Sequence, residues 1–228
     1  MTTFSQSLTV VKIEHPPYGV NSYVVWDEAT KDAFLVDIGH CIQPVLGVIT
    51  ANALNCEMLF HTHAFLDTML GQPALRDEMN LLAHLNPMDE FWLAHMDTQS
   101  MVLGIADIPQ AFVDQQVREG DVIQVGSIKV KVLETPGCTP GSVSYYVEEA
   151  GLLFVGDVIY KGSLGPTDIP YANTERLIET VKNRIFTLPD AVRLLPTRGD
   201  ETTVGAEKAT NTLTPTKYGQ FVTRPARV

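Results

Sequence analysis

The sequence predicts an α/β fold of four layers, an αβ/βα sandwich in which two facing mixed β-sheets lie between outer helices. Two observations support this prediction. Short runs rich in β-branched and aromatic residues precede stretches of helical periodicity, and this order occurs twice along the 228 residues. We therefore expect one domain over residues 1–228, with pseudo-repeated halves at about 8–115 and 120–212 and an irregular tail over 213–228.

The first half is predicted to open as a β-meander, with strands at Leu8–Glu14, Ser22–Trp26 and Ala33–Asp37. Apolar residues at helical spacing predict a helix over 42–53, and Met58–Phe60 is predicted to form a buried strand. Asn86 followed by Pro87 is typical of a helix start, and we expect this helix to continue to about Leu103.

The second half begins at the polar pair Gly120-Asp121. Four strands are predicted there, at 122–125, 128–133, 143–147 and 152–155. Asn173 is a predicted N-cap for a helix whose buried face carries Leu177, Val181, Ile185 and Leu188. The last strand is expected at Val192–Leu195 and a short helix at Val204–Asn211.

Composition excludes several classes of partner. The net charge of −11, with no run of Lys and Arg longer than a pair, disfavours nucleic acid. The first residues lack the basic and apolar regions of a signal peptide, and no apolar run approaches ~18 residues, so we expect a cytoplasmic protein with no membrane partner. Three widely spaced cysteines fit a reducing compartment. A small-molecule ligand is the expected partner, and self-association into a homo-oligomer is left open.

Four short motifs contain the candidate chemistry. In chain order they are His63-Ala64-Phe65-Leu66-Asp67-Thr68, Thr135-Pro136-Gly137-Cys138-Thr139-Pro140-Gly141-Ser142, Gly156-Asp157 and Pro196-Thr197-Arg198-Gly199. Their order and spacing resemble the metal-binding skeleton of the metallo-β-lactamase superfamily, and in particular the small hydrolases around type II glyoxalase. This resemblance implies the αβ/βα sandwich and, in the usual form of the family, H-x-H-x-D-H, T-P-G-H-T-P-G-S, G-D and P-x-H-G motifs that hold two metal ions.

Four positions depart from that pattern. Histidines are expected where this chain has Phe65, Thr68, Cys138 and Arg198. The resemblance implies that the second metal would keep only Asp67 and Asp157, so we expect that metal to be absent. We also expect no resident cofactor, with a single zinc or iron on His63, Cys138 and Asp157 as the alternative, because this ligand set is acceptable by type.

Arg198 is predicted to take the place of the second metal. Two buried carboxylates without a cation would repel each other and stay poorly solvated, and a guanidinium restores the missing positive charge. We therefore expect Arg198 to contact Asp67 or Asp157. The alternative is an arginine side chain that extends into solvent from its loop.

Two further side chains have alternative roles. Cys138 is a candidate nucleophile, with His63 as base and Asp67 orienting that base, because an electropositive cleft lowers the pKa of a thiol. The alternative is that Cys138 is only a small residue tolerated after metal loss. His61 is expected to be hydrogen-bonded within the sheet, and its alternative is to reach the cleft.

The predicted catalytic residues are thus His63, Asp67, Cys138, Asp157 and Arg198, and the predicted ligand-binding residues are Phe65, Thr68 and Tyr145. The apolar residues of the helix predicted after Asn86 are interpreted as helix core, with an apolar pocket beside the cleft as the alternative. These residues are Met88, Phe91, Trp92, Leu93, Met96 and Met101.

We expect a protein that binds or acts on a small ester, lactone or thioester-like molecule without dinuclear zinc hydrolysis. One alternative is a hydrolase that uses a single metal or the Cys138 and His63 pair. Another is a structural or regulatory subunit with a vestigial cleft, which the retention of His63, Asp67 and Asp157 disfavours. The fold alone does not identify the substrate.

Overall fold

The computed structural model describes residues 4–105, 108 and 110–221. In its first sheet, the strands lie side by side in the order in which they occur along the chain. Its strands are β1 (Thr9–His15), β2 (Val20–Trp26), β3 (Asp32–Val36), β4 (Asn55–Phe60), β5 (Leu82–Leu85) and β6 (Gln115–Gln116). The first three strands pair antiparallel, and β3 to β6 pair in parallel. Helices α1 (Gln43–Ala51) and α2 (Gln72–Glu78) make the crossovers that parallel pairing requires.

The second sheet repeats this combination of antiparallel and parallel pairs. It contains β7 (Val122–Val125), β8 (Ile128–Glu134), β9 (Val143–Val147) and β10 (Leu152–Gly156). A separate hairpin of β11 (Ile159–Tyr160) and β12 (Ser163–Leu164) leads to α5 (Thr174–Thr180), which continues through a π-helical turn over Val181–Ile185. Strands β13 (Arg193–Pro196) and β14 (Thr202–Thr203) then complete the sheet order β14-β13-β10-β9-β8-β7, and α6 (Val204–Thr210) follows.

The core between the sheets is built from aromatic side chains. Phe60 of the first sheet stacks on Tyr145 of the second with ring centroids 4.9 Å apart, and Phe34 meets Phe154 edge to face at 5.9 Å. Outside the sheets, α1 and α2 bury their apolar faces on the first sheet, and α5 and α6 do so on the second. The predicted four-layer αβ/βα sandwich with two facing mixed sheets is therefore confirmed.

The prediction of one continuous helix from Asn86 to about Leu103 is wrong, because the segment is interrupted. Asn86 caps as predicted, because its side chain accepts a hydrogen bond from Met88 N at 2.9 Å. The segment then divides into a 3₁₀ turn (Pro87–Asp89), α3 (Glu90–Leu93) and α4 (Met96–Leu103). The break falls at His95, whose ring Nδ1 donates to Phe91 O at 2.7 Å and so takes the carbonyl that a continuous helix would offer to the His95 N–H.

The interpretation of the apolar residues on this segment as helix core is also only partly correct. Trp92 and Met96 are buried, whereas Met88 and Met101 are exposed by 58% and 76%. The second predicted cap holds, since Asn173 accepts from Arg176 N at 2.9 Å at the start of α5. Within the described residues, no helix is long and apolar enough to cross a membrane. Of the tail predicted over 213–228, residues 222–228 lie outside the described residues.

Candidate functional site

The predicted catalytic residues lie on loops that leave the carboxyl ends of strands at one edge between the sheets. His63 and Asp67 follow β4, and Asp67 lies in a 3₁₀ turn over Leu66–Thr68. Asp157 comes directly after β10, and Arg198 comes two residues after β13. The structure therefore brings together four of the five predicted catalytic side chains as one buried cluster.

Arg198 connects the two carboxylates. Its Nη1 donates to Asp157 Oδ2 and its Nη2 donates to Asp67 Oδ2, with all three side chains at most 3% exposed. The predicted contact of Arg198 with Asp67 or Asp157 is thus present with both. The turn that carries Arg198 is fixed by Asn21 of β2, whose side-chain amide donates to Pro196 O at 3.0 Å and to Gly199 O at 2.9 Å.

Electrostatics keep Arg198 and Asp157 ionised. Burial acts to lower the pKa of Arg198, but Asp157 and Asp67 outweigh it and hold that pKa well above its ordinary value. Burial acts to raise the pKa of Asp157, yet Arg198 and His63 bring it below the usual range. The guanidinium and the Asp157 carboxylate therefore form a true ion pair at neutral pH.

His63 is oriented by a chain of hydrogen bonds that begins at Asp37. Thr62 Oγ1 donates its single proton to Asp37 Oδ2 at 2.7 Å, so it can only accept from His63 Nδ1 at 2.9 Å. The other ring nitrogen, Nε2, lies 3.6 Å from Asp157 Oδ2. Burial acts to lower the pKa of His63, but Asp157 and Asp37 raise it overall above its ordinary value of 6.5. This geometry favours an imidazolium facing Asp157.

Two aromatic residues near the end of the described chain cover the cluster. The hydroxyl of Tyr218 donates to Asp67 Oδ2 at 3.0 Å, and the Phe221 ring lies over the Arg198 guanidinium, with Cζ 4.8 Å from its centroid. The segment 217–221 thus closes the outer side of the cluster. Sequence reasoning missed both residues, because no motif connects this tail with the strand ends.

Four polar atoms of the cluster are buried and make no hydrogen bond of standard geometry among the described residues, although His63 Nε2 lies 3.6 Å from Asp157 Oδ2 and Tyr160 also interacts with Asp157. They are His63 Nε2, Asp67 Oδ1, Asp157 Oδ1 and Arg198 Nε. Buried polar atoms are paired in most of a folded protein, so a group of unpaired atoms in one place calls for an explanation. We interpret them as contacts kept for a polar group that binds between the two sheets.

An aromatic pocket adjoins the cluster. Its volume is about 310 Å³, and its walls include Phe65, Phe91, Trp92, His95, Tyr171 and Tyr218. Phe65 belongs to both features, because its ring meets His63 edge to face at 5.0 Å and Trp92 at 5.5 Å. An apolar pocket beside the cleft was the alternative interpretation of the apolar residues between Met88 and Met101. The structure contains such a pocket.

Two predicted ligand-binding residues do not face this pocket. Tyr145 is fully buried between the sheets, where its hydroxyl donates to His61 O at 3.0 Å and its ring stacks on Phe60, so assigning it to ligand binding was wrong. Thr68 is also fully buried, and its hydroxyl donates to Phe65 O at 2.8 Å within the 3₁₀ turn. Thr68 therefore stabilises the loop that places Asp67.

Cys138 lies in an apolar environment. It has no exposed surface and packs in a cluster with Phe65, Leu66 and Trp92. Burial, reinforced by Asp157, raises the pKa of this thiol well above its ordinary value, although Arg198 acts in the opposite direction. The expectation that the cleft lowers this pKa was wrong, because desolvation outweighs the arginine. The geometry favours the interpretation of Cys138 as a small packing residue.

His61 does not enter the cluster. The side-chain amide of Gln72 donates to His61 Nε2 at 3.0 Å, and burial lowers the pKa of His61 to about 3. It is a neutral, hydrogen-bonded histidine, as the preferred interpretation of the sequence states.

Asp89 is a further buried carboxylate near the cluster. It accepts hydrogen bonds from Ala64 N at 3.1 Å, from Thr139 Oγ1 at 2.7 Å and from Gly141 N at 2.7 Å. These contacts join the loop after β4 to the loop after β8. In the sequence, Asp89 is recognisable only as an acidic residue in a first helical turn, and nothing there indicates its contacts with residues around position 139.

Comparison with known proteins agrees with this architecture. The sequence profile of the metallo-beta-lactamase superfamily matches residues 15–198, which is most of the chain. The chain belongs to this superfamily. The hydroxyacylglutathione hydrolase GloC of Haemophilus influenzae is 28% identical over 193 residues, which cover 84% of this chain and 91% of GloC.

Solved structures extend this similarity. The BLEG-1 B3 metallo-beta-lactamase has a TM-score of 0.84 and 27% identity, with 90% of this chain and 98% of that chain covered. The protein TTHA1623, solved in a di-iron-bound form, has a TM-score of 0.80 and 29% identity, with 89% and 99% covered. The predicted kinship with glyoxalase II-like hydrolases is confirmed by GloC and by these folds.

The prediction that this chain has no cofactor is contradicted by these similarities, because TTHA1623 has a metal-bound form. The residues of the present chain nevertheless differ from a two-metal centre. In the part of the chain that the structure describes, no group of three or more His, Cys, Asp or Glu is arranged to hold a metal ion. Arg198 pairs with both carboxylates, so these residues do not fit a pair of metal ions.

Proposed function

We propose that this chain binds a small organic molecule of ester, lactone or thioester type at the Arg198 cluster, without a dinuclear centre for hydrolysis. The observation that supports this most directly is the group of four unpaired polar atoms around Arg198, Asp67 and Asp157. A buried donor or acceptor without a partner costs about 1–3 kcal/mol, and a ligand that pairs with it removes that cost.

The chemistry of the cluster suits a carbonyl compound. Arg198 Nε–H is a donor without a partner, and the imidazolium at His63, whose Nε2 lies 3.6 Å from Asp157 Oδ2, adds positive charge beside it. A carbonyl oxygen accepts from Arg198 Nε–H, and the preorganised positive charge stabilises an oxygen that becomes more negative. Asp67 and Asp157 hold the two cationic groups in position, and the adjoining aromatic pocket has room for the apolar part of the molecule.

A second candidate is a non-catalytic, regulatory binding protein. It is favoured by the cover over the cluster, in which Tyr218 bonds Asp67 and Phe221 lies over Arg198. Such a protein would bind the same class of molecule without turnover. Binding and product release therefore have to be measured on the same sample.

Thermal unfolding with a panel of phenyl acetate, δ-valerolactone and S-phenyl thioacetate tests the proposal. A ligand of the native state stabilises it by RT ln(1 + [L]/Kd) and so raises the unfolding temperature, and we expect at least one compound to do so with a concentration dependence that fits this relation. The conservative variant Arg198→Lys should lose this response. The matched control is Arg193→Lys, which changes an arginine of a largely exposed ion pair with Glu201.

Product release separates the two candidates, since turnover supports an enzyme and saturable binding without turnover supports the regulatory protein. The proposal fails if no compound of the panel stabilises the native chain at millimolar concentration. It also fails if Arg198→Lys, shown to be folded by circular dichroism, responds as the native chain does.

A further inference from the structure

The aromatic pocket has a mouth that is formed by an exposed ring. Tyr171 is 70% exposed, yet its ring contacts Phe91 at 5.1 Å and Trp92 at 5.7 Å, both nearly edge to face. Rings that meet edge to face leave part of their flat apolar faces uncovered, and an uncovered face suits another planar ring. Tyr171 thus extends the pocket outward beyond the surface of α3.

The backbone at Tyr171 is strained. Its φ is 64°, in the left-handed region that non-glycine residues with bulky side chains rarely adopt. Strain of this kind persists at ligand clamps, where it fixes the position of a side chain. Tyr171 takes this φ as the third residue of a turn over residues 169–172, which Ala172 N closes by donating to Ile169 O at 3.2 Å.

The pocket contrasts with the acidic surface of a chain of net charge −11. Of the described side chains that line it, none is Asp, Glu, Lys or Arg. His95 donates from Nδ1 to Phe91 O at 2.7 Å, so the Nε2 of a neutral His95 ring is a hydrogen-bond acceptor. The lining therefore selects a neutral molecule that carries an N–H or O–H donor beside its apolar part.

We propose that the aromatic pocket binds a neutral, planar aromatic group with an adjacent hydrogen-bond donor, such as an aromatic amide, against the rings of Tyr171 and Trp92. The volume of about 310 Å³ is at the lower end of small-molecule sites and accommodates one ring with a short substituent. The inference rests on the proposed function in one respect. The aromatic group is taken to be the apolar part of the proposed ligand, whose carbonyl group reaches the Arg198 cluster. Phe65 and Tyr218 line the pocket and also contact that cluster.

Ligand-observed NMR titrations with benzamide, benzoate and toluene test the pocket. Benzamide and benzoate have nearly the same shape and differ in charge, so we expect benzamide to bind saturably and benzoate at least about tenfold more weakly. General repulsion by the acidic chain is screened in about 0.5 M salt, and the preference for benzamide should persist there. Toluene reports the ring contacts alone.

Variants locate the bound ring. Tyr171→Gly removes the ring and relieves the strained φ, and it should weaken benzamide and toluene about two- to tenfold, which is the usual worth of one aromatic contact. Tyr171→Phe keeps the ring and should bind as the native chain does. His95→Phe removes the Nε2 acceptor and should weaken benzamide but not toluene. Met101→Ala, on the exposed side of α4, is the control without effect.

The inference is overturned if benzoate binds as tightly as benzamide at high salt, or if Tyr171→Gly binds benzamide as well as the native chain. Benzamide is not an ester and these variants leave Arg198 in place. An ester panel that fails while benzamide binds as expected would therefore refute the proposed function and support the pocket. Esters that respond through Arg198 while benzamide does not bind would refute the pocket alone.

Discussion

The hydroxyl of Tyr218 donates a 3.0 Å hydrogen bond to Asp67 Oδ2, the carboxylate oxygen that also accepts from Arg198. This bond connects residues 151 positions apart in the chain, one in a tail turn and one in the loop after β4. Asp67 thus binds Arg198 inside the cleft and Tyr218 of the covering tail segment on the outer side. The tail turn is therefore attached to the same carboxylate that pairs with Arg198.

The first prediction concerns this bond. Tyr218→Phe removes the hydroxyl and leaves the ring, so we expect the free energy of unfolding to fall by about 1.5–3 kcal/mol, the range for a hydrogen bond to a charged group. Urea denaturation measures the change. Tyr171→Phe is the matched control, because its hydroxyl is exposed and its removal should change stability by less than about 0.5 kcal/mol. Equal effects of the two variants would contradict the structural role of the Tyr218 hydroxyl.

The second prediction concerns the charge balance of the cluster. Arg198→Met leaves Asp67 and Asp157 buried and unpaired, so it should destabilise the fold by about 3–5 kcal/mol. Replacing the carboxylates as well, in the triple variant with Asp67→Asn and Asp157→Asn, should recover most of this loss, since both side chains are then neutral and His63, without Asp157 beside it, can lose its proton. Urea denaturation of the native chain, Arg198→Met, the double Asp→Asn variant and the triple variant gives the coupling energy between Arg198 and the carboxylates. A triple variant as unstable as Arg198→Met would show that packing, rather than charge, dominates.

The sequence was sufficient to predict the fold and the contact of Arg198 with the buried carboxylates. Alternating apolar strands and helical periodicity fix the two sheets, and the Pro196 to Gly199 turn fixes where Arg198 lies. It was insufficient for contacts between distant segments that no motif connects. The burial of Tyr145, the cover by Phe221 and the contacts of Asp89 all depend on packing between the halves, which leaves no periodic signal. The pKa of Cys138 was misjudged for the same reason, because desolvation follows from tertiary packing.

The third prediction is a pH dependence that arises outside the cleft. His15 is buried beside Ser22, and burial, with a smaller contribution from His40, lowers its pKa to about 4 from an ordinary 6.5. The unfolded chain therefore binds a proton more readily, so the stability that His15 contributes is complete above pH 6.5 and is lost as the pH falls towards 4. After discounting for solvent screening, we expect a loss of about 2 kcal/mol.

His15→Gln isolates this contribution. The variant cannot titrate, so the difference in unfolding free energy between native and variant chains should shrink between pH 7 and pH 4, as followed by urea denaturation at several pH values. All other groups titrate in both chains and cancel in the difference. A difference that stays constant over this range would show that His15 keeps an ordinary pKa in the folded chain.

The fourth prediction concerns metal binding. Returning histidine to positions 65, 68, 138 and 198 restores the full ligand pattern that the family resemblance implies, and removes the guanidinium from between the two carboxylates. We expect this fourfold variant to hold about two metal ions per chain and more than the native chain does. Arg198→His alone should not reach two, because Thr68 remains a poor ligand. Elemental analysis after dialysis measures both, and two tightly bound ions in the native chain would refute the role assigned to Arg198.

The last prediction uses the three cysteines as probes of burial. Cys41 is partly exposed, whereas Cys56 and Cys138 are buried, and burial raises the pKa of both buried thiols, that of Cys56 to about 12. Since the thiolate is the reactive species, iodoacetamide should modify Cys41 first in the native chain and the other two only on unfolding. Mass spectrometry of peptides after timed alkylation identifies the order, with the urea-unfolded chain as the control in which all three react alike. Native Cys138 that reacts before Cys41 would restore the nucleophile interpretation, because only an activated and accessible thiol could do so.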